Sequence, residues 1–247
     1  MPVGYDAGMH FRRRPGNPSH PAHVLLGASS AAAAALSILL TGCAGSGGPK
    51  GQPLDVVKGA PELTFAAGTT RIHIAGPDLR ADGVVDLATG AARLTVVNPG
   101  TGATSEVVTA NGVGPSDGPH MPGGLALTDV RGLVDLLRGT VKVYTYGGAE
   151  VQGIDTIRYT IDDDDLALAV EATPPARRAS VERARDLAGG RPTIKIDVWV
   201  DAEGRIRRIQ IPTDLTTKTP PTRVDGAPVA FTVDFLEFGV PAPAVGP

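Results

Sequence analysis

Beyond residue 54, most of this chain alternates apolar and polar residues in short segments that end at turn residues. The clearest segment is 193–201, where Ile194, Ile196, Val198 and Val200 fall on one side of an extended chain. A second is 230–238, where the same spacing brings Phe231, Val233 and Phe235 together. A period of two is typical of β-strands that bury one face. This alternation restricts the chain to folds built around a β-sheet.

The same pattern predicts further strands and the way they connect. Residues 84–87 and 93–97 flank Ala88-Thr89-Gly90, which predicts a hairpin whose Gly90 supplies a positive φ. Other strands are expected over 69–75, 141–146, 155–161 and 205–211, and a short one near Val107. Because these segments follow one another through short turns, without helices alternating between them, we expect an antiparallel sheet.

Two segments predict helices and a third is weaker. Residues 129–138 repeat apolar side chains at helical spacing, with Thr128 as a candidate N-cap and Gly139 as the stop. Thr173-Pro174 predicts the start of a charged helix over 174–188, and 54–66 is the weaker candidate. The fold class expected is therefore α+β, with two to three helices covering the apolar face of a single sheet.

The first 43 residues have the layout of an export signal. A basic patch at Arg12–Arg14 precedes an apolar run over 24–40, and Leu40-Thr41-Gly42-Cys43 matches the bacterial lipobox. In that motif the chain is cut before a cysteine that carries a diacylglycerol thioether. The prediction is a signal peptide over 1–42, a lipidated flexible linker over 43–53 and a folded domain over 54–247. Translation could begin at Met1 or at Met9.

The N-terminal segment has two other interpretations. A transmembrane helix would span only 17 apolar residues rich in Ala and Ser, which is a marginal length. Cleavage at an ordinary Ala-x-Ala site would leave Cys43 unexplained. Arg12-Arg13 also raises export through the twin-arginine route, although apolar residues are missing just after the pair.

Composition excludes several classes of function. Cys43 is the single cysteine, so lipidation of its thiol excludes disulfides, zinc–thiolate sites and a cysteine nucleophile. Removal of residues 1–42 takes away three of 23 basic and one of 26 acidic residues and leaves a net charge of about −5. Nucleic acid is therefore not an expected partner. The bias toward Ala, Gly, Pro and Arg is typical of an actinobacterium, which would place the domain on the outer face of the cell membrane.

Motifs that would indicate catalysis or a bound metal are weak. Asp162–Asp165 could supply calcium ligands, but it lacks the spacing of a calcium loop, and a solvated turn between strands is the expectation. His73 shares a polar strand face with Arg71, and His120 lies in a Gly/Pro loop without an acid or nucleophile nearby. Trp199 falls on the polar face of its strand, and we expect it to pack in the core. No enzyme activity, metal or cofactor is predicted.

Four stretches resemble the LolA-like superfamily of lipoproteins, and specifically its actinobacterial LppX and LprG group. They are Gly83-Val-Val-Asp-Leu-Ala-Thr-Gly90, Val151-Gln-Gly-Ile-Asp-Thr-Ile-Arg-Tyr159, Val198-Trp-Val-Asp-Ala-Glu-Gly-Arg-Ile-Arg-Arg-Ile209 and the C-terminal Phe235–Pro247. The likeness covers about 65–247. It implies a strongly curved antiparallel sheet, a half-barrel wrapped around helices, with an apolar cavity that takes acyl chains.

The resemblance predicts a membrane-anchored protein that binds, and transfers, an acylated lipid or glycolipid. The candidate lipid-binding residues are inward-facing apolar positions of the strands: Ile157, Tyr159, Ile196, Val198, Val233 and Phe235. The same residues would form an ordinary core. The alternative is a surface-tethered scaffold without a lipid pocket, supported by Asp162–Asp165 and the charged helix. A hydrolase, which would need a polar cleft around His73 or His120, has the least support.

Overall fold

The computed structural model describes residues 48–112, 129–187, 193–212 and 230–245. These residues form nine strands of one antiparallel sheet: β1 (Thr69–Ala75), β2 (Arg80–Asp86), β3 (Ala92–Val97), β4 (Thr104–Thr109), β5 (Thr140–Val151), β6 (Ile154–Asp165), β7 (Thr193–Asp201), β8 (Ile206–Pro212) and β9 (Ala230–Phe238). They also form four α-helices: α1 (Pro53–Ala66), α2 (Val130–Leu136), α3 (Leu166–Ala172) and α4 (Arg178–Leu187).

The sheet consists of two meanders joined at its centre. Strands run in the order β4-β3-β2-β1-β9-β8-β7-β6-β5, so every neighbouring pair is sequential except β1 and β9. Those two pair antiparallel, with Ile74 opposite Val233. The end strands β4 and β5 lie at opposite edges, which leaves the sheet open. The predicted α+β class with a single antiparallel sheet is confirmed.

One face of the sheet, the inner face, packs against the helices. Alternate residues of the strands bury their side chains there, as in β3, where Ala92, Leu94 and Val96 are buried while Arg93 and Thr95 are exposed. Helical residues such as Val57 and Leu133 complete the same apolar cluster. The sequence alternates because only one face of the sheet is buried, as expected for a sheet covered on one side.

Helix α1 is fixed to the inner face by apolar contacts and by one buried hydroxyl. Val57 and Ala60 are fully buried against the sheet. Thr64 donates its hydroxyl to the Ala60 carbonyl (2.7 Å) and accepts a hydrogen bond from the Ile206 amide (3.0 Å). The segment that the sequence predicted as the weaker helix is the longest helix among the described residues. Among the described residues, no helix is long and apolar enough to cross a membrane.

The other helices differ from the prediction in their bounds. Asp129, not Thr128, caps α2 by accepting a hydrogen bond from the Gly132 amide (3.1 Å), and a short 3-10 turn over Leu137–Gly139 extends it. The helix expected from 174 begins as a 3-10 turn over Pro175–Arg177 and becomes α-helical only at Arg178. Helix α3 was not predicted, because it follows directly on the acidic end of β6 without a separating turn.

Two glycines test how closely the helices pack. A Cβ at Gly139 would collide with the Asp165 carbonyl and lie 2.9 Å from the Ala169 amide, both of which are backbone atoms. We expect Gly139→Ala to lower the free energy of unfolding by about 2–3 kcal/mol, since such overpacking forces the backbone apart. Gly59 is the matched control, because nothing lies within 4 Å of its added Cβ in α1.

Gly59→Ala should raise the free energy of unfolding by about 0.5–1 kcal/mol, the usual gain of Ala over Gly in a helix. Urea unfolding followed by circular dichroism measures both variants. Equal effects at the two sites would contradict the packing described for Gly139.

Candidate lipid-binding face

The sheet places the six predicted lipid-binding residues on its inner face. The register sets Tyr159 opposite Val198, and Phe235 opposite Ile72. Val198 and Val233 both pair with Ile209 of β8, so the row continues across the centre of the sheet. All six belong to or pack against one apolar cluster, in which Tyr159, Ile196, Val198, Val233 and Phe235 are buried and Ile157 is partly buried.

The alternation of side chains along each strand brings these residues together. Side chains of residues that are two positions apart on one strand project to the same side of the sheet, and so do those of residues directly opposite each other on neighbouring strands. Tyr159 carries a hydroxyl into this apolar region, and burial raises its pKa. The structure therefore gathers an apolar surface spanning β6, β7 and β9. That this surface binds lipid remains a prediction.

The helices that cover the inner face are joined by a buried carboxylate. Asp135 of α2 is fully buried, and its two oxygens accept hydrogen bonds from Arg138 (2.6 Å) and Arg177 (2.7 and 3.1 Å). Arg138 also pairs with Glu62 of α1. The Arg177 guanidinium lies 4.2 Å from the centre of the Phe65 ring, on the same helix as Glu62. The Asp135 cluster thus joins α1, α2 and the turn before α4.

Charge pairing dominates the behaviour of Arg138 in this cluster. Burial is the largest single influence and lowers the pKa of its guanidinium, but the hydrogen bonds and the negative charges of Asp135 and Glu62 together outweigh burial and raise the pKa. The arginine is consequently held in its charged form, matched to the buried carboxylate.

Asp129, at the start of α2, has the opposite balance. Burial raises the pKa of its carboxyl, despite hydrogen bonds from Ser180 and Gly132 and the Arg183 guanidinium 3.6 Å away. Ionisation of Asp129 therefore costs free energy in the folded state. That cost is present above the folded-state pKa and disappears as the pH falls through it toward the unfolded value.

We expect Asp129→Asn to be at least as stable as the wild type near neutral pH. Asn caps a helix as well as Asp but does not ionise. The advantage of the variant should shrink at acidic pH, as the pH falls through the raised pKa of the wild-type carboxyl. Asp129→Ala is the control and should lose about 1 kcal/mol, because it removes the cap. Urea unfolding at both pH values provides the measurement, and a large loss in Asp129→Asn at neutral pH would contradict a raised pKa for Asp129.

Trp199 lies on the outer face of the sheet, opposite the helices. Its side chain is almost fully buried, with the guanidinium groups of Arg158 and Arg208 lying 5.2 and 5.7 Å from the ring centre. Arg208 in turn forms a two-bond ion pair with Asp234, at 2.5 and 2.7 Å. The expectation of core packing is wrong in its location, because two arginines rather than the apolar core cover the ring.

The acidic segment Asp162–Asp165 is part of β6 and does not form a solvated turn. Asp162 pairs with Lys195 (2.7 Å), which lowers the pKa of its carboxyl. Asp164 is fully buried, and Asp165 caps α3 by accepting hydrogen bonds from the amides of residues 167 (2.8 Å) and 168 (3.2 Å). These structural roles remove the main support for a scaffold surface there. Within the described ranges, no group of three or more acidic, His or Cys side chains could hold a metal ion.

Two of the remaining predicted positions lie outside the described residues, and one lies within them. Cys43 and His120 fall outside. His73 is on the outer face, where its Nδ1 lies 2.7 Å from Asp82 Oδ1. On the same face, Asp82 also borders an open groove of about 280 Å³, whose lining combines charged side chains of β2, β3 and β4 with Val84 and residues 241–243. Its mixed charge, with Arg93 facing Glu106 at 3.4 Å, does not suit an acyl chain.

Sequence reasoning missed the Asp135 cluster and the exposed aromatics of β5. Asp135 sits within an apolar helical stripe, so a buried acid between Val134 and Leu136 was a signal that could have been followed. Tyr144 and Tyr146 are exposed on β5, and their spacing of two was visible in the sequence. Neither feature matches a known motif. Both depend on which elements become neighbours in the fold.

The described residues thus form an open antiparallel sheet whose inner face is covered by helices. No protein-family model matches the chain, and no curated protein matches it. Solved structures do match. One is LprF from Mycobacterium bovis, with 14% identity over 81% of this chain and 98% of that chain and a TM-score of 0.49.

The lipoprotein LppX of Mycobacterium tuberculosis also matches, with 15% identity over 77% of this chain and 96% of that chain and a TM-score of 0.44. Identities this low concern the fold alone.

Proposed function

We propose that this protein is a lipoprotein, anchored through Cys43 in the outer face of the cell membrane, that holds the acyl chain of a lipid or glycolipid. The chain would lie between the helical layer and the inner face of the sheet, and no covalent chemistry is involved. One observation carries the proposal: the inner face is apolar from β6 to β9, and separate helices rather than a second sheet cover it.

The energetics suit a carrier. Burial of one C16 chain removes some fifteen methylenes from water, worth roughly 12 kcal/mol before any cost at about 0.8 kcal/mol per methylene. In the described structure the inner face is packed against α1, so entry of a chain requires the helical layer to separate from the sheet. The free energy of that separation offsets part of the gain, which allows the lipid to be released again.

Chain-length dependence of binding tests this proposal. Lipid that is bound without a covalent bond is first removed from the mature protein. The protein is then titrated with fatty acids of twelve, fourteen and sixteen carbons below their aggregation concentrations. Each pair of added methylenes should lower Kd roughly ten-fold, since the free energy of binding becomes more favourable by about 1.6 kcal/mol. Saturation at one chain per protein is expected. Absent binding, or affinity that does not change with chain length, would contradict a role in lipid binding.

Replacement of Cys43 tests the anchor separately. Cys43→Ser should abolish diacylglycerol transfer, because an alcohol is a far weaker nucleophile than a thiolate. The domain should still fold and bind fatty acids, because Cys43 stands at the start of the predicted linker, ahead of helix α1 at Pro53–Ala66. The intact mass of the N-terminal peptide is the measurement. An unmodified cysteine in the wild type, or a mature chain that does not begin at residue 43, would contradict the proposed anchor.

A further inference from the structure

Strand β5 is an edge strand with uncovered apolar side chains. Within the described part of the chain it pairs only with β6, and most of its residues are exposed. Val141, Tyr144 and Tyr146 are among the large apolar side chains left in water, and Tyr146 is 66% exposed. A long edge with exposed aromatics is unusual for a surface that has no partner.

The two tyrosine rings are held in place by neighbouring cations. The Arg158 guanidinium lies 5.2 Å from the Tyr146 ring centre and 5.2 Å from that of Trp199, so it is sandwiched between them. The Lys142 ammonium lies 5.0 Å from the Tyr144 ring centre. Rings with an apolar body and a polar tip are the side chains enriched where a bilayer meets water.

The start of the described chain lies beside this edge. A Cβ on Gly48 would lie 2.6 Å from the Ile157 side chain, so Gly48 contacts β6 there. Ile157 pairs with Gly148 of β5, two residues from Tyr146. Four residues lie between Cys43 and Gly48, and the five steps from one Cα to the other span at most about 18 Å in an extended chain. A lipid on Cys43 would therefore hold this end of the β5–β6 hairpin close to the headgroups.

We propose that the β5 edge docks on the headgroup layer of the bilayer in which Cys43 is anchored, through Val141, Tyr144 and Tyr146. This inference rests on the proposed lipidation of Cys43. Docking would fix the orientation of a domain that the linker alone leaves free, with β5 toward the membrane and β4, at the other edge, away from it. The contact is aromatic and apolar, because Lys142 and Glu150 leave the exposed strand without a net charge.

Labels at the two edges of the sheet test the orientation. Because the Cys43 thiol is occupied by lipid, a cysteine introduced by Thr145→Cys on β5, or by Val108→Cys on β4 as the matched control, is the single site for a fluorescent label. The lipidated mature protein is placed in phosphatidylcholine vesicles containing a nitroxide-labelled phosphatidylcholine. We expect several-fold stronger quenching of the Thr145 label than of the Val108 label.

Tyr144→Ser with Tyr146→Ser should reduce this difference to the part that the Cys43 tether alone maintains, while the urea midpoint and the lipidated mass stay unchanged. A difference that does not fall in this variant would overturn docking through the tyrosines. Equal quenching at the two edges in the lipidated wild type would overturn docking and leave the anchor standing. Shielding of the Thr145 label to the same degree in detergent would show a second copy at this edge and also overturn docking. A wild-type mass without lipid on Cys43 would overturn the anchor and the docking together.

Discussion

Asp135→Ala should lower the free energy of unfolding by about 3–5 kcal/mol, the range for removal of one partner from a buried ion pair. Asp135 is fully buried and accepts three hydrogen bonds from Arg138 and Arg177, whose side chains are only 9% and 19% exposed. Without the carboxylate, Arg177 loses both of its hydrogen bonds to Asp135, and Arg138 keeps only the exposed Glu62 as its acidic partner. Urea unfolding at neutral pH measures the loss.

Glu62→Ala is the control for the same arginine. Glu62 pairs with Arg138 but is 60% exposed, so its removal should cost about 0.5 kcal/mol or less. A loss below about 1 kcal/mol in Asp135→Ala would show that the cluster does not join the helices. Because a loosened helical layer separates more easily from the sheet, the Asp135 variant should also exchange bound fatty acid faster than the Glu62 variant.

Phe235→Ala should lower the free energy of unfolding of the delipidated protein by about 3–5 kcal/mol. The Phe235 ring is 1% exposed on the inner face, opposite Ile72, and is stacked on Phe238 with ring centres 6.4 Å apart. The substitution leaves an apolar cavity, and such cavities stay dry and accept apolar ligands. If the inner face receives an acyl chain, bound fatty acid should fill part of this cavity and reduce the loss.

Leu94→Ala is the matched control at the other side of the sheet. Leu94 is fully buried on β3, outside the predicted lipid-binding residues, and its truncation should cost about 2–5 kcal/mol. The difference in free energy of unfolding between Leu94→Ala and the wild type should be the same with and without fatty acid, when both proteins are compared under the same condition. Equal behaviour of the two variants would make Phe235 an ordinary core residue.

The sheet was predictable from the sequence because burial of one face imposes a period of two that survives in each strand. Strands β1 and β3 show it without interruption. Asp162–Asp165 was misinterpreted because four acids in a row suggest solvent, whereas the fold pairs one with Lys195, buries a second and uses a third as a helix cap. Charge alone does not distinguish these roles.

The candidate site was predictable only in part. The alternation along the strands placed residues such as Tyr159 and Val233 together on the inner face. It does not distinguish a permanently packed core from a surface that opens to a ligand. The Asp135 cluster and the β5 edge depend on contacts between elements distant in sequence, such as Asp135 with Arg177 and Arg158 with Trp199. No local pattern encodes those contacts.

The central claim, that the inner face holds an acyl chain, is tested most directly by the mass of the wild-type protein purified from its own membrane. The mass is measured twice, under native conditions and after denaturation. We predict one lipid per chain that is present natively and lost on denaturation, in addition to the diacylglycerol that stays on Cys43. A native mass equal to the denatured mass would contradict lipid binding, even if Cys43 proved to be lipidated.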